Sequence, residues 1–204
     1  MLHRLIAAIG AALIVGCAAL PASPTPAHAP LPDATTVTVR RTCATTLHAD
    51  VQLSDEARAV IDHAGAAWRG PTQGRLNVGV VYDLDFSSPI NLQAHEAAKD
   101  SLLIPIGSDS EIAARLDAEF APGRPLAVTI KTDDDRTIVY LIMDRIDEVH
   151  ALDVVTHEFG HVCGLPDLPM TGAVMSGVSI KGAPPPDGFQ PEDMALLRAA
   201  HYLD

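Results

Sequence analysis

His157-Glu158-Phe159-Gly160-His161 places two imidazoles four residues apart, with a carboxylate between them. On a helix this step brings both imidazoles onto one face, about one turn apart, where they can reach a single metal ion. Neutral imidazole is a good zinc ligand, and Glu158 can reach a water on the same metal and serve as its base. Gly164 follows, a residue that adopts the left-handed turn needed to end a helix without Cβ strain. The chain then doubles back through Leu165 and Pro166 to Asp167. A carboxylate there completes three protein ligands and leaves a fourth position for water, the pattern of catalytic rather than structural zinc. Two histidines on a solvated helix face would need neither the glycine nor the acid.

Taken together, His157-Glu158-x-x-His161-x-x-Gly164-x-x-Asp167 and the downstream Ala173-Val174-Met175-Ser176 resemble the metzincin clan of zinc metalloproteases. The snapalysin type, with Asp at the last ligand position after Gly-Leu-Pro, is most similar. The resemblance implies a metzincin-like α+β domain: a twisted mixed β-sheet, an active-site helix, a Met-turn at Met175 and a closing helix within Phe189 to Tyr202. It implies one catalytic zinc held by His157, His161 and Asp167. It also implies that Glu158 takes a proton from the attacking water and delivers it to the leaving amine. An anionic third ligand makes the ion a slightly weaker Lewis acid than three histidines would. Gly177 stands where some metzincins carry a tyrosine that assists at the metal, so oxyanion stabilisation would rest mainly on zinc.

Two other readings stay open. Glu192 on the last helix could be the third ligand, as in thermolysin-like enzymes. The chain could instead be a tethered zinc-binding protein without hydrolytic activity, although a purely structural site has no use for Glu158. The substrate is expected to be a peptide lying beside an edge strand near 126–131 by strand addition. The loop from Gly177 to Gly188 would wall the pocket beyond the cut; Lys181 could read a polar group there, but reads first as an exposed solvated lysine.

Several elements must position these groups. Thr36 to Thr42, rich in Val and Thr, reads as a first strand. Ser54-Asp55-Glu56 starts a helix that carries Ala57, Val60, Ile61, Ala64 and Trp68 at helical spacing. Leu76 to Leu84 is a strand, as is Ser101 to Ile106, where Pro105 suggests an edge or a strand end. Ser108 to Phe120 reads as helix, and 126–131 with 137–143 as an antiparallel hairpin. The hairpin turn Asp133-Asp134-Asp135 could hold calcium, but no full ligand loop surrounds it. Glu148 to Cys163 is the metal helix, with Val149, Leu152, Val155, Phe159 and Val162 as its buried stripe. A last helix runs from Pro191 to about Tyr202. Residues 85–125 otherwise give no assignable part. His150 shares a face with His157 and reads as a surface or outer group, and His48, His63, His95 and His201 have no motif around them.

Composition narrows the partners. The chain has 204 residues, 48% of them apolar, and a formal charge of −12, a balance that disfavours binding nucleic acid. Residues 1–17 read as an export signal ending in Ile14-Val15-Gly16-Cys17, similar to a bacterial lipobox with Cys17 as the lipidated residue. Cleavage after Ala27-His28-Ala29 is the alternative. Residues 18–34, studded with proline, form a tether, and 35–204 the protease domain, expected to be monomeric. Lipid would hold the protein on a membrane surface at the cell envelope; otherwise it would be secreted. If Cys17 is acylated, Cys43 and Cys163 remain outside the cytosol and are expected to pair. In a competing arrangement, Cys43 caps the zinc as a latency thiolate. The anchor has a direct test. Wild type should label with fatty acid and partition with membranes, and Cys17→Ser should do neither. Soluble mature protein starting at Pro30 would establish the other cleavage.

Overall fold

The computed structural model describes residues 41–177 and 186–203. The export signal with Cys17, the tether, residues 36–40 of the strand expected at Thr36 to Thr42 and most of the pocket-wall loop with Lys181 lie outside the described residues. The fold is α+β, a mixed five-stranded sheet with five helices. The strands are β1 (Cys43–Asp50), β2 (Leu76–Leu84), β3 (Ser101–Ile106), β4 (Ala127–Lys131) and β5 (Thr137–Ile142). Their order is β2-β1-β3-β5-β4, all parallel except β4, which runs antiparallel to β5 and forms one edge. The helices are α1 (Asp55–Ala67), α2 (Pro89–Ala98), α3 (Glu111–Glu119), α4 (Ala151–Val162) and α5 (Pro191–Ala199).

Strand alternation divides the core into two layers. Leu47, Ala49, Val78, Leu103, Val139 and Leu141 point to the face covered by α1 and α4, where Ile61, Trp68, Val155 and Phe159 complete the larger cluster. Leu102, Ile104, Ile138, Tyr140 and Val128 point the other way, against Leu116 of α3 and the partly buried Leu92 of α2. Serine caps start three of the helices: Ser54, Ser88 and Ser110 each accept a backbone N–H of the first turn.

Among the described residues the first strand is β1, Cys43–Asp50, which pairs in parallel with β2 over its length, and Arg41 and Thr42, the described end of the Val/Thr-rich run, carry no strand. Pro105 lies on an inner strand, yet the expectation of a local edge has a physical basis. The β1–β3 pairing stops at Leu103, so Pro105 pairs only with β5, where its missing N–H breaks no ladder on the β1 side. The helix expected at Glu148 to Cys163 starts at Ala151. Val149 therefore falls outside its stripe and is 65% exposed, while Val155, Phe159 and Val162 are buried. Helix α2 was not legible at all in the sequence.

Cys43 and Cys163 form a disulfide, with Cα atoms 5.6 Å apart, that ties the start of β1 to the end of α4. The Cys43 sulfur is therefore not free to act as a latency thiolate. Non-reducing peptide mapping should recover 43 and 163 in one linked species. Replacing both cysteines by alanine should lower unfolding stability by about 2–5 kcal/mol, as for other native disulfides closing long loops. Alkylatable thiols at both positions in the native protein would contradict the bond.

Candidate metal centre

Helix α4 presents His157 and His161 on one side, and its C-terminus is built to bring Asp167 back to them. Gly164 has φ of +77°, and the Leu165 and Gly164 amides bond to the Gly160 and His161 carbonyls at 3.0 and 2.8 Å. This pair of bonds is the Schellman closure expected of a left-handed glycine. The same turn aims the Leu165 carbonyl at His161, whose Nδ1 lies 2.7 Å away. The Val174 carbonyl takes His157 Nδ1 at 2.9 Å. A carbonyl can only accept, so each Nδ1 carries the proton and each Nε2 presents a lone pair.

Those two Nε2 atoms face each other at 2.9 Å, and each lies 3.2 Å from Asp167 Oδ1. Three acceptors so close together need positive charge among them, which a metal ion or a proton on one imidazole would supply. The edges of this triangle approach the ~3.3 Å separating neighbouring donors at zinc bonds of about 2.0–2.1 Å. Two imidazole nitrogens and one carboxylate oxygen are also a donor set that zinc favours, so the residues present fit that ion. The local field is negative. Flanking imidazoles hold the Asp167 carboxyl well below its usual range. Burial by itself would lower the His161 imidazole, but Asp167 and Glu158 beside it leave it raised.

Glu158 is buried at 5% exposure, and burial pushes its carboxyl above the ordinary value. Thr129 of β4 donates its hydroxyl to Glu158 Oε2 at 2.5 Å, which fixes one oxygen of the carboxylate. Nothing in the sequence around Thr129 announces that contact.

The turn at Met175 is held from two sides. Met175 is fully buried, and a Cβ on Gly160 would meet its Sδ at 2.3 Å and Trp68 Cζ2 at 3.1 Å. The second unspecified position of the His-Glu-x-x-His sequence therefore has to be small. Trp68 in turn donates Nε1–H to the Thr156 carbonyl at 2.8 Å, joining α1 to α4. From the far side, buried Asp193 of α5 accepts the Val174 and Met175 amides at 3.0 and 2.9 Å, and the Gln190 amide at 2.9 Å. Glu192, the alternative third ligand, is exposed on α5, and the inward-turned acid is its neighbour Asp193. The acid triplet at 133–135 belongs to no ligand cluster among the described residues, and Asp134 is engaged by Thr132 and Arg136. His150 receives the side chain of Asp147 at the start of α4.

No family model matches the chain, and no curated protein matches it. The site therefore rests on its own geometry.

Gly177 has a steric role here. A Cβ at this position would lie 2.9 Å from Asp167 Cγ and 3.1 Å from both its oxygens. Gly177→Ala should keep the far-ultraviolet circular dichroism of wild type but weaken zinc retention roughly 10–100-fold, the range for disturbed neighbours of metal ligands. Competition with a chromophoric chelator measures this. Unchanged retention would mean that Asp167 does not hold the metal.

Proposed function

We propose that this protein is a zinc-dependent endopeptidase of metzincin type, most similar to the snapalysins. One observation carries the reading: two imidazoles locked in the same tautomer converge with Asp167, beside a desolvated glutamate that is not part of the triangle. A structural metal site would leave Glu158 without a task.

His157 Nε2, His161 Nε2 and the Asp167 carboxylate would hold the ion. When bound, zinc supplies Lewis acidity toward a peptide carbonyl and makes water a nucleophile at neutral pH. Glu158 accepts the water proton on its carboxylate and returns it to the amine nitrogen as the peptide bond breaks. Thr129 keeps Oε2 occupied, so the other oxygen is the one that exchanges the proton. β4 is the edge strand nearest this carboxylate and has no strand on its outer side among the described residues. An extended peptide can add there through backbone hydrogen bonds. The single zinc, a peptide or protein substrate, action as a monomer and export with a lipid anchor at Cys17 belong to the same reading. No helix among the described residues is long and apolar enough to cross a membrane.

Glu158→Gln separates chemistry from metal binding. It should retain stoichiometric zinc and the fold while cleavage of a peptide library falls at least 10²–10⁴-fold, roughly the contribution of general acid–base catalysis. His161→Ala should lose zinc, and a chelator should abolish cleavage by wild type. If Glu158→Gln cleaves as fast as wild type, the mechanism is wrong. If it loses zinc, Glu158 is a ligand. A wild type that binds zinc and cleaves nothing is a binding protein.

A further inference from the structure

The sheet carries a second convergence of metal-ligating groups, on the face away from α4. Leu47 and Ala49 of β1 point into the core beneath α4, so His48 between them points to the opposite side. Parallel pairing with β2 brings Asp83 alongside it, and α2 with the turn after it delivers His95 and Asp100. His48, Asp83 and His95 each offer a ligand atom within 4.8 Å of the other two. The His48 and His95 ring centroids are 4.8 Å apart, and both side chains are largely buried, at 19% and 10% exposure.

The hydrogen-bond roles leave a deficit of positive charge. His95 Nδ1 lies 2.8 Å from Asp100 Oδ2, while its Nε2 looks toward the Asp83 carbonyl at 3.4 Å and Asp83 Oδ1 at 3.9 Å. His48 Nδ1 lies 2.8 Å from Asp83 Oδ1, and its Nε2 is 3.8 Å from Asp100 Oδ1. All of these neighbours are oxygens that only accept. Two ionised carboxylates and two neutral imidazoles carry two negative charges, which either one divalent cation or two added protons would balance.

We propose that His48 Nδ1, Asp83 and His95 Nε2 form a second divalent-metal site, distinct from the centre on α4. Asp100 backs it by accepting from the outer nitrogen of His95. A carboxylate behind a ligating histidine fixes the ring's tautomer and strengthens it as a donor. Mixed imidazole and carboxylate donors select a transition ion such as zinc over calcium or magnesium. The site would clip α2 to the sheet. That helix fully buries only His95, exposes Ile90 at 80%, and is otherwise held by the partly buried Leu92 and by Asn91, whose side chain donates to the Asp83 carbonyl and accepts from the Asp85 amide. The proposal does not depend on the proteolytic reading.

The test uses the full chain and zinc chloride, with metal content read by mass spectrometry after gel filtration. Wild type should carry two zinc ions, and His157→Gln/His161→Gln, which lacks the α4 centre, should still carry one. Adding His95→Gln to that double variant should remove it. Asp83→Asn alone should leave one ion and unchanged peptide cleavage. Folding is checked by circular dichroism on every preparation. Cobalt(II) titration of the double variant should develop the visible ligand-field bands of a nitrogen–oxygen site, absent after His95→Gln. A folded double variant that binds neither zinc nor cobalt at micromolar free metal would overturn the proposal. Nitrogen-15 spectra showing both rings doubly protonated in the presence of zinc would do the same and identify the cluster as two ion pairs.

Discussion

Everything at the α4 centre depends on two protons sitting on the outer nitrogens of two histidines. The Val174 and Leu165 carbonyls hold them there, and as a result two lone pairs and a carboxylate face one point. Each carbonyl is supplied by a different piece of local structure. Leu165 owes its position to the left-handed Gly164, and Val174 to a turn whose amides are anchored on a buried carboxylate. Removing either support would free a ring to rotate away from that point.

The supports form a chain through the molecule. Asp193, in the first turn of α5, fixes the Val174–Met175 turn, Met175 fills the space that Gly160 leaves open, and Trp68 braces both. Tyr202, beyond α5, donates its hydroxyl to the Cys163 carbonyl, so the chain's last turn and the disulfide meet at the same helix end. Polar and apolar contacts thus converge on one twelve-residue helix.

The triangle of His157, His161 and Asp167 was legible because its members lie close together in sequence, where helical spacing and a glycine stop dictate geometry directly. Strands β2, β4 and β5 were legible for a similar reason: their β-branched runs are short and bounded by turn residues. Where tertiary pairing decides, the sequence is silent. Cys43–Asp50 gives little strand signal of its own, yet parallel pairing with β2 runs along it. Helix α2 shows no apolar stripe because the side chain it buries is a histidine. His48, Asp83, His95 and Asp100 are scattered over fifty residues, and only parallel strand register brings them together. Thr129 and Asp193 look like ordinary surface residues until partners from distant elements are in place.

The thin anchoring of α2 also bears on the protein's own durability. Stability is uneven within a fold, and an element with few buried apolar contacts opens locally at a small fraction of the global cost. With Ile90 turned to solvent and one histidine tucked inward, the segment from Asp85 to Asp100 is a stretch readily offered to a cleft as extended chain. If the domain hydrolyses peptides, that stretch is a place where one molecule would cut another. Whatever fastens it to the sheet then sets the working lifetime of the population.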